Sequence, residues 1–133
     1  MTVHKGACLC GAVEFKVEGS FDSFYLCHCR HCQKDTGSAY AANLFSHSAT
    51  LSWLAGGDSV SCFMLPGSRH NKCFCKVCGS ALPSTQLAGL LVVPAGCLDT
   101  EVPTLPTAHI FTASAAAWAK SADSIASFNG LPD

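Results

Sequence analysis

The chain has 133 residues, enough for one domain with one sizeable core, and its formal net charge is -1 with no run of Lys or Arg. Phosphate-backbone binding needs clustered cations, so no nucleic-acid partner is expected. Charged residues are only 13% of the chain, about half the usual share, which leaves little charge to cover the surface and is compatible with a homo-oligomer.

The chain reads as short strands separated by turns. Ala12 to Glu18 alternates apolar and polar residues, with Val13, Phe15 and Val17 on one side. Phe24 to Cys27 is a short β-prone run, and His31 to Thr36 can form one helical turn stopped by Gly37. Ala39 to Phe45 and Thr50 to Leu54 are further strands, the second followed by a turn at Gly56-Gly57-Asp58. Val60 to Leu65 closes at Pro66-Gly67, and Leu90 to Val93 closes at Pro94-Ala95-Gly96. His109 to Thr112 is short and β-prone, Pro103 to Pro106 is a loop, and Ser114 reads as the N-cap of a short helix over Ala115 to Ala119. The tail from Ser121 is small and polar, with Ile125 and Phe128 as its large anchors. The expected fold is mainly β: a single small domain, residues 1-133, of many short antiparallel strands clipped together by metal.

No apolar signal core is visible in Met1 to Lys16, and the longest apolar stretch, Leu87 to Val93, is too short to span a bilayer. No membrane partner is expected, and the cytoplasm is the default compartment. There, dense cysteine spacing points to metal binding or catalysis before disulfides.

Seven of the ten cysteines fall into three clusters: Cys8-Leu9-Cys10, Cys27-His28-Cys29-Arg30-His31-Cys32 and Cys75-Lys76-Val77-Cys78. Such spacings set two sulfurs on one tight turn, the bite of a tetrahedral zinc ion. Gly11 and Gly79 follow the two pairs and let the backbone turn so that amides face the sulfurs. Two pairs make a closed structural site, whereas three sulfurs leave a fourth position for water or a substrate. Spacing alone does not fix which pairs share a metal, since Cys8 and Cys10 could instead join Cys27 and Cys29. Nor does it exclude a fourth protein ligand, such as His28, His31 or a distant cysteine, closing the middle site. Alternation in an extended segment turns His28 away from the side shared by Cys27 and Cys29.

The remaining residues read more plainly. Cys62 sits in an apolar strand as a core residue, Cys73 is expected to point opposite to Cys75, and Cys97 is the extra cysteine that could reach an open site. His4, His47 and His70 read as solvated or loop residues. His31 is a candidate proton shuttle beside the middle cluster, and Lys34 a candidate positive charge there.

Three segments resemble signatures of the glutathione-dependent formaldehyde-activating enzyme family, which includes centromere-protein-V-like proteins. They are Gly6-Ala-Cys8-Leu-Cys10-Gly11-Ala-Val13-Glu-Phe15, Cys27-His-Cys29-Arg-His-Cys32-Gln-Lys-Asp-Thr36-Gly37 and Phe74-Cys75-Lys-Val-Cys78-Gly79-Ser80. The resemblance extends to Ala95-Gly96-Cys97-Leu98-Asp99, His109-Ile110-Phe111 and Trp118. It implies the mainly-β fold shared with methionine-R-sulfoxide reductases. It further implies a structural zinc on Cys8, Cys10, Cys75 and Cys78, and a second, catalytic zinc on Cys27, Cys29 and Cys32 with room for the sulfur of glutathione. The implied reaction joins glutathione to formaldehyde, a carbon–sulfur lyase reaction in reverse. Two positions depart from the family pattern: Cys97 stands where Thr or Ser is usual, and Lys72 where Arg is usual. The C-terminal segment is also unusually rich in Ala and Ser.

Three other readings compete with a zinc-dependent thiol-adduct enzyme. A non-catalytic zinc module would bind glutathione or a protein partner. A redox enzyme would use Cys97 or Cys62 as nucleophile but needs a resolving partner, and the sequence offers no clear pair. A nucleic-acid-binding zinc ribbon lacks its basic patch.

Overall fold

The computed structural model describes residues 2-132. Ten short strands are arranged in three small sheets. The first holds β1 (Val3–Ala7), β2 (Glu14–Glu18) and β5 (Thr50–Ala55) in the order β1-β2-β5, all antiparallel. The second has the order β10-β3-β4-β9, from β3 (Ser23–Cys27), β4 (Ala41–Ser46), β9 (Leu91–Pro94) and β10 (Ala108–Ile110). Within it β10 runs parallel to β3 and the other pairs are antiparallel. The third sheet is β6-β7-β8, from β6 (Val60–Met64), β7 (Asn71–Cys75) and β8 (Ala81–Leu82). Isolated bridges pair Gly6 of β1 with Leu98, and Ser84 with Val92 of β9.

The alternation read in residues 12-18 has the expected outcome, because Val13, Phe15 and Val17 are all fully buried. They meet Leu44 and Val93 of the second sheet and Leu82 and Cys75 of the third, so one core draws on all three sheets. Burying each large side chain contributes about 1.5–3 kcal/mol. Gly6 belongs to the same packing: a Cβ there would overlap the Cys97 carbonyl oxygen and the Phe15 ring.

Several sequence expectations change. The strands β1, β7 and β8 were not legible in the hydrophobic pattern. The helix expected over Ala115 to Ala119 breaks into two 3-10 turns, Thr112–Ser114 and Ala117–Ala119, with Ala115 and Ala116 extended between them. A helix of one or two turns has a costly nucleus, and this segment has little buried surface to offset it. His4 is not solvated. It is buried and its ring nitrogen lies 3.1 Å from the Gly19 carbonyl oxygen.

Cys62 and Cys73 are also corrected. Cys73 and Cys75 are both buried, as the two-residue repeat of a strand requires of alternate positions on one face. Cys62 is exposed rather than in the core, and it forms a disulfide with Cys73 directly opposite on β7. No helix among the described residues is long and apolar enough to cross a membrane.

Candidate metal centres

Two knuckles bring four sulfurs together. Cys8 and Cys10 follow β1, while Cys75 ends β7 and Cys78 lies on the next turn. Gly11 and Gly79 both take positive φ, 82° and 78°, a conformation that costs glycine little. Each closes its turn by an amide bond, Gly11 N–H to the Cys8 carbonyl at 3.2 Å and Gly79 N–H to the Cys75 carbonyl at 2.6 Å. The four Sγ atoms lie within 4.8 Å of one another, with Cys8 to Cys10 at 3.6 Å and Cys10 to Cys75 at 3.9 Å. A tetrahedral ion with metal–sulfur bonds of about 2.3 Å would set its ligands about 3.8 Å apart, so these residues fit a four-thiolate ion. Of the two pairings left open by spacing, the fold brings Cys8 and Cys10 to Cys75 and Cys78.

Ser80 links the knuckles. Its Oγ accepts the Leu9 amide at 3.0 Å and lies 3.5 Å from Cys78 Sγ. The Ser80 hydroxyl, with its backbone amide and that of Cys10, holds the Cys78 thiol down to about 5. Val13 N–H donates to Cys8 Sγ at 3.2 Å. Such bonds favour the thiolate forms that a metal requires.

The second cluster is built around a short helix, α1 (Arg30–Thr36). Cys27 ends β3, Cys29 is the extended N-cap residue, and Cys32 lies in the first turn with its N–H donating to Cys29 Sγ at 3.3 Å. The helix ends at Gly37, whose N–H bonds the Gln33 carbonyl at 2.8 Å. The three Sγ atoms again lie within 4.8 Å of one another. Among the described residues no fourth Cys, His, Asp or Glu donor joins that group. Burial pushes the Cys27 and Cys32 thiols up, while hydrogen bonds, chiefly from the Cys32 amide, lower Cys29 against its own burial, so a bound cation would be needed to hold all three as thiolates. The donor set therefore fits a metal ion held by three thiolates.

His28 does not turn toward these sulfurs. Its ring is buried against Tyr40, and its Nε2 lies 2.8 Å from His109 Nδ1. Burial, then the neighbouring His109, lowers its pKa. Its carbonyl accepts the buried Gln33 side-chain amide at 2.7 Å, and the same amide reaches the Ser114 carbonyl at 2.9 Å. Gln33 thus ties α1 to the C-terminal segment.

The three-sulfur cluster opens into a cavity of about 480 Å³. Its walls carry His31, Asp35, Arg69, His70 and Lys72 on a charged side, and Phe45, Leu82, Leu87 and Val92 on an apolar side. Asp35 organises the charged side: its carboxylate takes Lys72 Nζ at 2.6 Å and His70 Nε2 at 2.9 Å. The His31 and His70 rings are 5.5 Å apart between centroids. The cations facing the cavity are Lys72 and Arg69, whereas Lys34, expected from sequence proximity, is exposed elsewhere. His70 is half-buried in this network rather than solvated, while His47 is on the surface as expected, 2.8 Å from Asp22. Cys97 joins neither cluster. It packs against the core, and burial followed by the nearby Asp99 charge pushes its thiol up to about 12. Sequence reasoning missed Asp35 and Arg69, read His70 as solvated, and noted Lys72 only as a departure from the family pattern. Asp35 carried a local signal, three residues after Cys32 and so on the same helical face.

Residues 3-114 match the model of the glutathione-dependent formaldehyde-activating enzyme family. The chain belongs to that family. The match contains all seven clustered cysteines and ends before Trp118. A Halomonas elongata protein provisionally named a glutathione-dependent formaldehyde-activating enzyme is 31% identical, over 97% of this chain and 88% of that one. A crystal structure of a Rhodobacter sphaeroides protein superposes with a TM-score of 0.55 at 27% identity, covering 74% of this chain and 91% of that one.

Proposed function

We propose that residues 1-133 form one zinc domain, in the fold shared with methionine-R-sulfoxide reductases. In it the four-sulfur centre is structural, and the three-sulfur centre serves carbon–sulfur chemistry on a small thiol. The thiol is glutathione or a relative, and its partner is a small aldehyde such as formaldehyde. The observation that carries this reading is the incomplete donor set of Cys27, Cys29 and Cys32 at one end of the cavity. A zinc ion held there supplies an electrophilic position that lowers the pKa of an incoming thiol.

The chain's own residues supply the rest. About 480 Å³ is within the range of small-molecule sites and suits a tripeptide thiol. Lys72 and Arg69 offer positive charge to its carboxylates, and Asn43 offers hydrogen bonds. In the forward reaction the thiol sulfur bonds to the aldehyde carbon and the carbonyl oxygen takes up the thiol proton. His31, on the cavity wall beside His70, is the group positioned to carry that proton. The Asp35 bridge keeps His70 and Lys72 in place. Orientation of the two reactants in one cavity is then a large part of the rate gain.

A second reading is a thiol carrier without turnover. It is favoured by the three thiolates themselves, whose negative charge weakens the electrophile they hold. Metal content, glutathione titration and aldehyde exchange, compared between the wild type and Cys29→Ser, separate the two. The enzyme reading expects close to two zincs per wild-type chain, about one in the folded variant, and glutathione-dependent aldehyde turnover only in the wild type. Tight glutathione binding without turnover leaves the carrier, and an unchanged zinc count in Cys29→Ser refutes both. The reading also assigns the chain to the cytoplasm, where its clustered thiols stay reduced. A disulfide in such a chain then stands in constant contact with free thiol.

A further inference from the structure

The Cys62–Cys73 disulfide lies outside both clusters, and its two sulfurs sit in opposite surroundings. Cys62 is exposed on β6, the edge strand of its sheet. Cys73 is buried on the central strand β7, opposite Leu82 of β8, and forms part of the wall of the thiol cavity. Displacement at a disulfide sulfur is collinear, so the attacking thiolate arrives from the side away from the leaving sulfur. Cys62 is open to solvent at the sheet edge, beyond which no strand is paired among the described residues. Cys73 is only 3% exposed although it lines the cavity, so little of its sulfur is open to a thiolate. Access therefore selects one sulfur of the two.

We propose that Cys62–Cys73 is a thiol–disulfide exchange site for a small thiol of the glutathione class, with Cys62 the sulfur attacked and Cys73 the leaving sulfur. In the first step a glutathione thiolate bonds to Cys62 Sγ, the bond between the two cysteines breaks, and Cys73 leaves as a thiolate. A second glutathione thiolate attacks the glutathione sulfur of that mixed disulfide and releases Cys62 as a thiolate. The protons lost by the two glutathiones end on Cys62 and Cys73. Two electrons pass to the protein, and the products are glutathione disulfide and a protein dithiol. The reverse sequence restores the bond from glutathione disulfide. The exchange differs from the carbon–sulfur chemistry at Cys27, Cys29 and Cys32, and rests on that reading only for the choice of glutathione as the thiol.

The test equilibrates the full-length, metal-loaded chain in buffers of varied reduced-to-oxidised glutathione ratio, followed by acid quench, alkylation and peptide mass spectrometry. The expected result is a disulfide fraction at residues 62 and 73 that falls reversibly as the ratio rises, with transient glutathione adducts on Cys62 and none on Cys73. The folded Cys73→Ser variant should capture one glutathione at Cys62, whereas Cys62→Ser should capture none at Cys73. A bond that stays fully formed, or fully reduced, across all ratios overturns the proposal, as do adducts on Cys73. The wild-type map decides the matter if either variant fails to fold. Running Cys29→Ser in parallel separates the two readings. Exchange that persists there while zinc and aldehyde chemistry are lost supports this site, and exchange lost in the wild type with aldehyde chemistry intact refutes this site alone.

Discussion

Ser80→Ala tests whether the four-sulfur centre owes its affinity to the serine that joins its two knuckles. The substitution removes the acceptor of the Leu9 amide at 3.0 Å and the hydroxyl 3.5 Å from Cys78 Sγ. The amide bond alone is worth about 1 kcal/mol, roughly fivefold in affinity. Losing a polar partner of a metal ligand costs about 10–100-fold, so the combined loss should fall within that range. There is also a pH signature. Cys78 is depressed to about 5 in the folded chain, so its contribution is complete above the unfolded thiol range and is lost as pH falls through the folded value. Without the hydroxyl, that loss begins at higher pH. Zinc affinity measured by chelator competition from pH 5 to 8 should drop for one ion per chain, with the midpoint of acid release moved upward. Equal weakening of both ions, or an unshifted release curve, would refute the reasoning.

Other perturbations follow from the same geometry. Cys75→Ser opens a closed centre that joins segments distant in sequence, so circular dichroism should show loss of the fold and not merely of one ion. Lys72→Met leaves Asp35 with His70 as its remaining side-chain partner at a half-buried site; about 1–2 kcal/mol of destabilisation, read as a Tm lower by several degrees, is expected. The Cys97 thiol, pushed up to about 12, should alkylate far more slowly than an unfolded cysteine at pH 8, and a rate equal to that of the denatured chain would contradict its packing.

What the sequence disclosed depended on how local the cause was. The cysteine clusters were legible because each pair of sulfurs is fixed by a turn of three or four residues. Residues 12-18 were legible because Val13, Phe15 and Val17 are apolar at every inward position. In β1 the buried positions are His4 and Gly6, and in β7 they are Cys73 and Cys75, which an apolar period does not register. With β7 unseen, the partnership of Cys62 and Cys73 stayed hidden, and so did the shared face of Cys73 and Cys75. The Asp35, His70 and Lys72 network was invisible for another reason: His70 and Lys72 lie 35 and 37 residues beyond Asp35, and only the fold that brings α1 beside the start of β7 unites them.

The most direct check on the account replaces zinc with cobalt in the full-length chain and follows the thiolate-to-metal absorption as glutathione is added. The intensity should rise by about one thiolate's share, with one glutathione per chain, and Cys29→Ser should abolish the rise. An absorption already that of two four-thiolate ions before glutathione, and unchanged after it, would contradict the account.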